Sequence, residues 1–276
     1  MKIVYQGVEG SYSHIMANKI YPNKTYIPCD TFEQAMEMVQ NNIADIAVIP
    51  VENSNAGRVT DVHFLLPKTG LYITGEYFLR VQHQLLGLHS AEITDIISAS
   101  SHPQALAQCS DFLRKNNISS ISRIDTAKSC QDIINSNDKS MAAIASKMAA
   151  EIYGLKILVP NIENSSDNTT RFLIMQKENI VPKDDGSKFI TSCIFKVKSM
   201  PAALYKVLGG FATNGINLTK LESYLINGKF VSAKFYIEIE SHPNRKEFQN
   251  AFTELKFFTE EIHNLGTYKA GRDRDI

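Results

Sequence analysis

Apolar and polar positions along the chain fall into two regimes. As far as about residue 180, short apolar runs alternate with segments whose apolar residues recur at helical spacing. The runs predict strands at 2–5, 45–51, 95–99, 121–124, 141–145, 155–159 and 171–176, with a β-rich stretch at 70–88. Helices are predicted over 12–20, 32–41, 103–115 and 146–153; Phe32, Ala35, Met36 and Val39 share one face of the second. Pro50 is expected to break its strand near the end. Pro103 takes the first helical position after Ser101-His102, Asp125 is expected to cap the next helix, and Gly154 closes the last. Alternating strands and helices predict an α/β fold, with parallel or mixed sheets and helices on both faces.

The second regime starts after residues 177–188, which carry Pro182, Asp184, Asp185 and Gly186 and read as a linker. Beyond it the pattern predicts a smaller α+β unit. A strand at 189–198 and a helix at 202–214 come first, then strands at 216–223 and 231–240 and a helix at 246–259. The residues from Tyr268 onward, rich in Arg and Asp, are expected to form a loose tail.

A chain of 276 residues suits two or three domains. Hydrophobic residues at 43% and charged residues at 21% are an ordinary globular balance. Lys plus Arg and Asp plus Glu are 29 each, so no broad basic face is expected and nucleic acid is not an expected partner. No apolar run is long enough to span a bilayer, so no membrane partner is expected. The first residues read straight into a strand and a glycine turn without a signal-peptide core, and a cytoplasmic protein is expected. Cys29, Cys109, Cys130 and Cys193 form no CxxC pair and are expected to be free thiols. The seven histidines show no HxxxH or HExxH spacing, so a metal site is not expected.

Candidate chemistry gathers where strands end and helices begin. Gly10-Ser11-Tyr12-Ser13, Glu52-Asn53-Ser54-Asn55-Ala56-Gly57, Ser100-Ser101-His102 and Asp125-Thr126 all occupy such junctions. In open α/β sheets ligands sit beyond the carboxyl ends of strands, and helix N-termini there favour anions. One junction alone reads equally well as a cap. Several around one cleft suit a small ligand with more than one carboxylate. In the 52–57 loop, Gly57 permits a tight turn. Glu52 is either a partly buried acid of raised pKa or a solvated loop residue. Asn168-Thr169-Thr170-Arg171-Phe172 opens a strand. By spacing alone that is unremarkable. Arg171 can bind a carboxylate in bidentate fashion, and a threonine hydroxyl beside a cation can donate to a departing oxygen.

Four segments, in this order and at this spacing, resemble the prephenate dehydratase family. They are Gly7-Val8-Glu9-Gly10-Ser11-Tyr12-Ser13, Pro50-Val51-Glu52-Asn53-Ser54 with Gly57, Ser101-His102-Pro103-Gln104-Ala105-Leu106, and Asn168-Thr169-Thr170-Arg171-Phe172. The resemblance covers nearly the whole chain. It implies a two-lobed catalytic region similar to type II periplasmic binding proteins over 1–177. Lobe one takes about 1–77 plus 160–177, and lobe two about 78–159. The implied reaction is prephenate to phenylpyruvate with loss of water and carbon dioxide, in L-phenylalanine biosynthesis, without a cofactor. The resemblance implies Thr170, Arg171 and Glu52 as catalytic residues, Thr170 as donor and Arg171 as carboxylate partner. Ser11, Asn53, Ser54, Gly57, Ser101, His102, Thr169 and Phe172 are the implied substrate-binding residues.

Residues 189–268 resemble an ACT domain, a βαββαβ module that binds amino acids at subunit interfaces. Its implied effector residues are Ala202, Ala203, Leu204, Asn217, Leu218, Glu222 and Ser223. L-Phenylalanine is the implied effector, and a homodimer or homotetramer the implied assembly. Where the family usually has a glycine, this chain has Ala202. Where it usually has Glu-Ser-Arg-Pro, this chain reads Glu222-Ser223-Tyr224-Leu225. Losing a turn-fixing proline and a charge leaves either altered inhibition or a domain kept for dimerisation. An arogenate dehydratase, a solute-binding protein and a non-catalytic amino-acid sensor are the competing readings.

Overall fold

The computed structural model describes residues 1–123, 126–226, 229–272 and 274, without the side chains of 225–233. The expected cap Asp125 and the side chain of Leu225 lie outside the described residues. The chain divides into two compact units, Met1–Thr60 with Phe78–Phe172, and Asp61–Tyr77 with Leu173–Ile276.

The first unit opens with β1 (Lys2–Gln6), α1 (Tyr12–Ile20), β2 (Thr25–Cys29), α2 (Phe32–Gln40), β3 (Ile46–Asn53) and β4 (Gly57–Arg58). The chain leaves it through α3 (Thr60–Leu65) and returns along β5 (Tyr72–Arg80). Then follow β6 (Gln84–Gly87), β7 (Ser98–Ser101), α4 (Pro103–Gln108), α5 (Ser110–Lys115), β8 (Ser119–Ser122) and α6 (Lys128–Ser136). β9 (Met141–Ala145), α7 (Lys147–Tyr153), β10 (Lys156–Val159) and β11 (Thr169–Gln176) complete it, the chain leaving along β11.

These strands form two sheets. One has the order β2-β1-β3-β11-β5, with β4 paired to β3 and β1 parallel to both its neighbours. The other has the order β10-β6-β9-β7-β8 and is mixed, with β7 parallel to β8 and β9, and β6 antiparallel to β9 and β10. Its central strands are apolar on both faces because helices cover both. Leu85 and Ile144 pack in one core cluster with Leu106 and Leu113. Their neighbours Leu86 and Ala143 pack in another with Ile133 and Ala149. Successive side chains of a strand point to opposite faces, so two layers of core follow from one apolar run.

Three local expectations are corrected. β3 runs through Pro50 to Asn53 because β4 continues the ladder, pairing Glu52 with Arg58 and Asn53 with Gly57. The helix expected over 103–115 breaks at Cys109 into α4 and α5. The strand expected at 95–99 lies at Ser98–Ser101, since Ile93–Asp95 is a 3₁₀ turn held by reciprocal Glu92 and Asp95 caps.

The second unit carries β12 (Phe189–Val197), α8 (Ala203–Thr213), β13 (Leu218–Ile226), β14 (Lys229–Ile239), α9 (Lys246–Phe258) and β15 (Thr259–Lys269). This βαββαβ chain forms an antiparallel sheet, β13-β14-β12-β15. Val207, Phe211, Phe248 and Leu255 of its helices meet Cys193, Phe195, Ile237 and Ile239 of the sheet. The expected loose tail is also corrected. Tyr268 is fully buried in β15, paired with Ile190, and its hydroxyl meets Ser192 Oγ at 3.1 Å. Further on, Arg274 forms ion pairs with Glu76 and Glu238, both buried. The 177–188 linker is anchored as well. Arg245 donates from Nε and Nη2 to both oxygens of Asp184, at 2.9 and 2.8 Å. That contact holds the Asp184 carboxyl well below the usual carboxylate range, at about 2.

Residues 61–77, expected in lobe one, belong to this second unit. His63 Nδ1 lies 3.2 Å from the Tyr224 hydroxyl. Gly266 has φ +127°, and a Cβ there would collide with the Ile73 carbonyl oxygen. These polar contacts, far apart in sequence, leave no trace in hydrophobic periodicity.

Candidate active site

The first unit encloses a cavity of about 450 Å³. All four expected junctions reach it, bringing Ser11, Asn53, His102 and Thr126 to one wall system with Gly57, Thr170 and Phe172. Ser11 is the N-cap of α1, its Oγ accepting the His14 N–H at 3.3 Å. Gly10 before it has φ +83°, and a Cβ there would lie 2.8 Å from Ala149 Cα. A side chain at that position would therefore push α7 away. The Gly10 carbonyl accepts the Ser146 hydroxyl at 2.6 Å.

Asn53 is the hub of the floor. Its Oδ1 accepts the backbone N–H groups of Asn55 at 3.0 Å and Ala56 at 2.9 Å. Its Nδ2 donates to Asn168 Oδ1 at 2.8 Å, Thr170 Oγ1 at 3.0 Å and the Thr169 carbonyl at 3.3 Å. Asn168 Nδ2 donates in turn to Gln108 Oε1 at 3.0 Å. Gln108 Oε1 also lies 2.9 Å from His83 Nε2, and His83 Nδ1 lies 2.9 Å from the Tyr12 hydroxyl. Burial lowers the His83 pKa and raises that of Tyr12 well above the ordinary phenol value. At neutral pH the ring is therefore uncharged.

Arg58 is the one permanent cation among the described lining residues, and no carboxylate lines the cavity among them. The cavity thus offers a guanidinium, hydroxyls and amides, a lining suited to an anionic ligand.

Other expected site residues do not line it. Strand alternation explains Arg171: Thr170 and Phe172 of β11 face the cavity, and Arg171 between them points away. Arg171 is buried, with Nη1 3.9 Å from Glu52 Oε2. Glu52 keeps 37% side-chain exposure and is neither a dry acid nor a lining residue. Ser101 is fully buried and donates to the Ile144 carbonyl at 2.6 Å. Ser54 accepts the Thr169 N–H at 3.0 Å and donates to the Asp167 carbonyl at 2.6 Å, so Ser54 and Thr169 lock the β3 end to the β11 start.

Arg58, His83, Gln108 and Asn168 were missed as site residues by the sequence reading. Gln104 and Gln108 are four apart on α4 behind His102, a spacing that puts both on one helix face. That signal was available for Gln108. His83 and Arg58 carried none.

The expected effector residues sit in the second unit. Ala202 precedes α8 at φ +56°, a left-handed conformation that explains a glycine at this place. Ala203 is buried, and Leu204 packs on the core of the unit. Asn217 Nδ2 donates to Glu240 Oε2 at 3.1 Å, Leu218 opens β13, Glu222 lies 3.8 Å from Lys220, and Ser223 is exposed.

The chain resembles known proteins over nearly its full length. Residues 3–180 match the protein family described as prephenate dehydratase. A "bifunctional N-acyl-homoserine lactone acylase/prephenate dehydratase" of Komagataeibacter europaeus is 40% identical over 268 residues, 97% of this chain and 95% of that protein. "Arogenate dehydratase/prephenate dehydratase 2, chloroplastic" of Arabidopsis thaliana is 38% identical over 277 residues, 97% of this chain and 72% of that one. Among solved structures, GqqA, described as a novel type of quorum quenching acylase, superposes with TM-score 0.93 at 39% identity, covering 99% of this chain and 100% of its own. Prephenate dehydratase from Arthrobacter aurescens in complex with L-Phe has TM-score 0.89 at 26% identity, covering 98% and 90%.

Proposed function

Because the chain belongs to the prephenate dehydratase family, we propose that it converts prephenate to phenylpyruvate in L-phenylalanine biosynthesis. The observation that carries this reading is the state of the Thr170 hydroxyl. Its oxygen accepts Asn53 Nδ2, and among the described residues its proton has no acceptor, so it is available to a ligand in the cavity. In the reaction the ring C–O bond breaks and the hydroxyl departs as water. The bond from the ring to its carboxylate breaks in the same sense, its electron pair enters the ring, and carbon dioxide leaves. One proton is consumed. Thr170 donates to the departing oxygen, the Asn53 amide stabilises the charge left on Oγ1, and water restores the proton. Arg58 takes the carboxylate-binding role expected of Arg171, and Arg171 with Glu52 holds the strands.

We place this catalytic region in residues 1–60 and 78–172, followed by an ACT-like unit that also takes in 61–77. The βαββαβ order of the second unit supports that, as does the L-Phe bound to the Arthrobacter relative. We infer phenylalanine regulation and a dimer or tetramer through this unit. Four free, buried cysteines fit a reducing compartment, and we place the enzyme in the cytoplasm. Among the described residues no helix is long and apolar enough to cross a membrane.

The names of the relatives keep two further substrates in view, arogenate and N-acyl-homoserine lactones. Side-by-side turnover decides among them: phenylpyruvate absorbance from prephenate, phenylalanine from arogenate, and fatty-acid release from an N-acyl-homoserine lactone. Turnover of prephenate is expected to dominate. Dominant release of fatty acid from the N-acyl-homoserine lactone, or no phenylpyruvate, overturns the proposal.

A further inference from the structure

The second unit holds a cavity of its own, of about 310 Å³, at the small end of the range for ligand sites and suited to a one-ring molecule. Helical spacing builds one wall of it. Phe248, Phe252 and Lys256 are four apart on α9 and stand in one row. Phe248 is buried in the core of the unit and anchors the row. The half-buried Phe252 stacks on it, with ring centroids 5.1 Å apart and planes at 16°. The exposed Lys256 carries its ammonium 5.3 Å from the Phe252 centroid, a cation–π contact that keeps the charge beside the rings.

The sheet contributes polar groups. Asn264 of β15 lines the cavity, and the backbone fixes which end of its amide is available. Its Oδ1 accepts the Gly266 N–H at 2.9 Å, where an amide nitrogen would oppose a donor, so Nδ2 is the end left for a ligand. Thr191 of β12 gives its hydroxyl hydrogen to the Ser241 carbonyl at 2.9 Å. No carboxylate lines this cavity among the described residues. It therefore offers an ammonium and an amide donor beside aromatic rings, and no anion to receive an amino group. None of the effector residues expected from the sequence lines it. We propose that this cavity is a second ligand site, which binds a small arylalkyl carboxylate without an amino group. The ligand's ring packs on Phe252 and Phe248, and its carboxylate accepts from Lys256 Nζ and Asn264 Nδ2. All of these residues belong to the second unit, so the site is independent of the dehydratase reading.

The probe is 3-phenylpropionate, titrated into the full chain and followed by ¹H–¹⁵N spectra. The Asn264 side-chain amide signal, assigned by its loss in Asn264→Ser, is expected to shift and saturate. Lys256→Met alters an exposed side chain and is expected to weaken the Kd read from this signal about tenfold, whereas Lys256→Arg keeps the charge and stays within about threefold. Acetate lacks the ring and 2-phenylethylamine carries the opposite charge, and both are expected to leave the signal in place at the same concentration. No shift with 3-phenylpropionate, an unchanged Kd in Lys256→Met, an equal loss in Lys256→Arg, or an equal shift with either control overturns the proposal.

Discussion

Replacing Thr170 with valine removes one hydroxyl and keeps the branched shape on β11. Asn53 Nδ2 loses its 3.0 Å acceptor but keeps Asn168 Oδ1 at 2.8 Å and the Thr169 carbonyl at 3.3 Å. The folding cost is therefore that of one replaceable hydrogen bond, about 1 kcal/mol or less. In a chain of this size that lowers Tm by roughly 2–4 °C. The catalytic cost is larger, because the lost donor faces charge that develops only as the hydroxyl departs. Removing such a donor costs about 2.7–4 kcal/mol of barrier, or roughly a hundredfold to a thousandfold in kcat. Thr170→Ser keeps the hydroxyl and is expected within about tenfold of wild type. Phenylpyruvate absorbance gives kcat and KM separately, and thermal unfolding gives the stability change. A valine variant that turns over within about threefold of wild type refutes the role of Thr170 as donor.

Arg58→Met is expected to raise KM for prephenate by about tenfold or more, whereas Arg171→Met lowers Tm and leaves KM near wild type; initial rates and thermal unfolding separate the two. Ala202→Gly relieves a left-handed alanine and is expected to stabilise the protein by about 1 kcal/mol, read by denaturant unfolding. Burial depresses the pKa of His14 and His83 below 6.5, so the unfolded chain binds more protons than the folded one. Their contribution to stability is full above pH 6.5 and is lost as pH falls through the folded values. Tm should drop on acidification over that window, and His83→Asn should flatten part of the slope.

Apolar periodicity made much of the first unit legible, because two-sided burial writes itself into strands such as β9. It could not show β15, where Glu260, Glu261 and His263 interrupt the apolar pattern of a strand paired with β12 along its length apart from two register shifts. It also mistook which residues face the cavity. Thr170 and Arg171 are adjacent in the motif, but a strand sends neighbours to opposite sides, so one motif serves a cavity and a structural ion pair at once. The amide row was illegible for a different reason. Asn53, Gln108 and Asn168 come from three distant segments, and a hydrogen bond between distant segments has no sequence period.

Arg274 has a consequence for the order in which the protein is made. Synthesis delivers Glu76 and Glu238 before it delivers the guanidinium that they share. Until then, closing the second unit would bury two carboxylates without the guanidinium that bridges them. The first unit has all its residues once Phe172 is made. A ribosome-bound chain can therefore shape its ligand cavity while the βαββαβ sheet still waits for its last counter-ion.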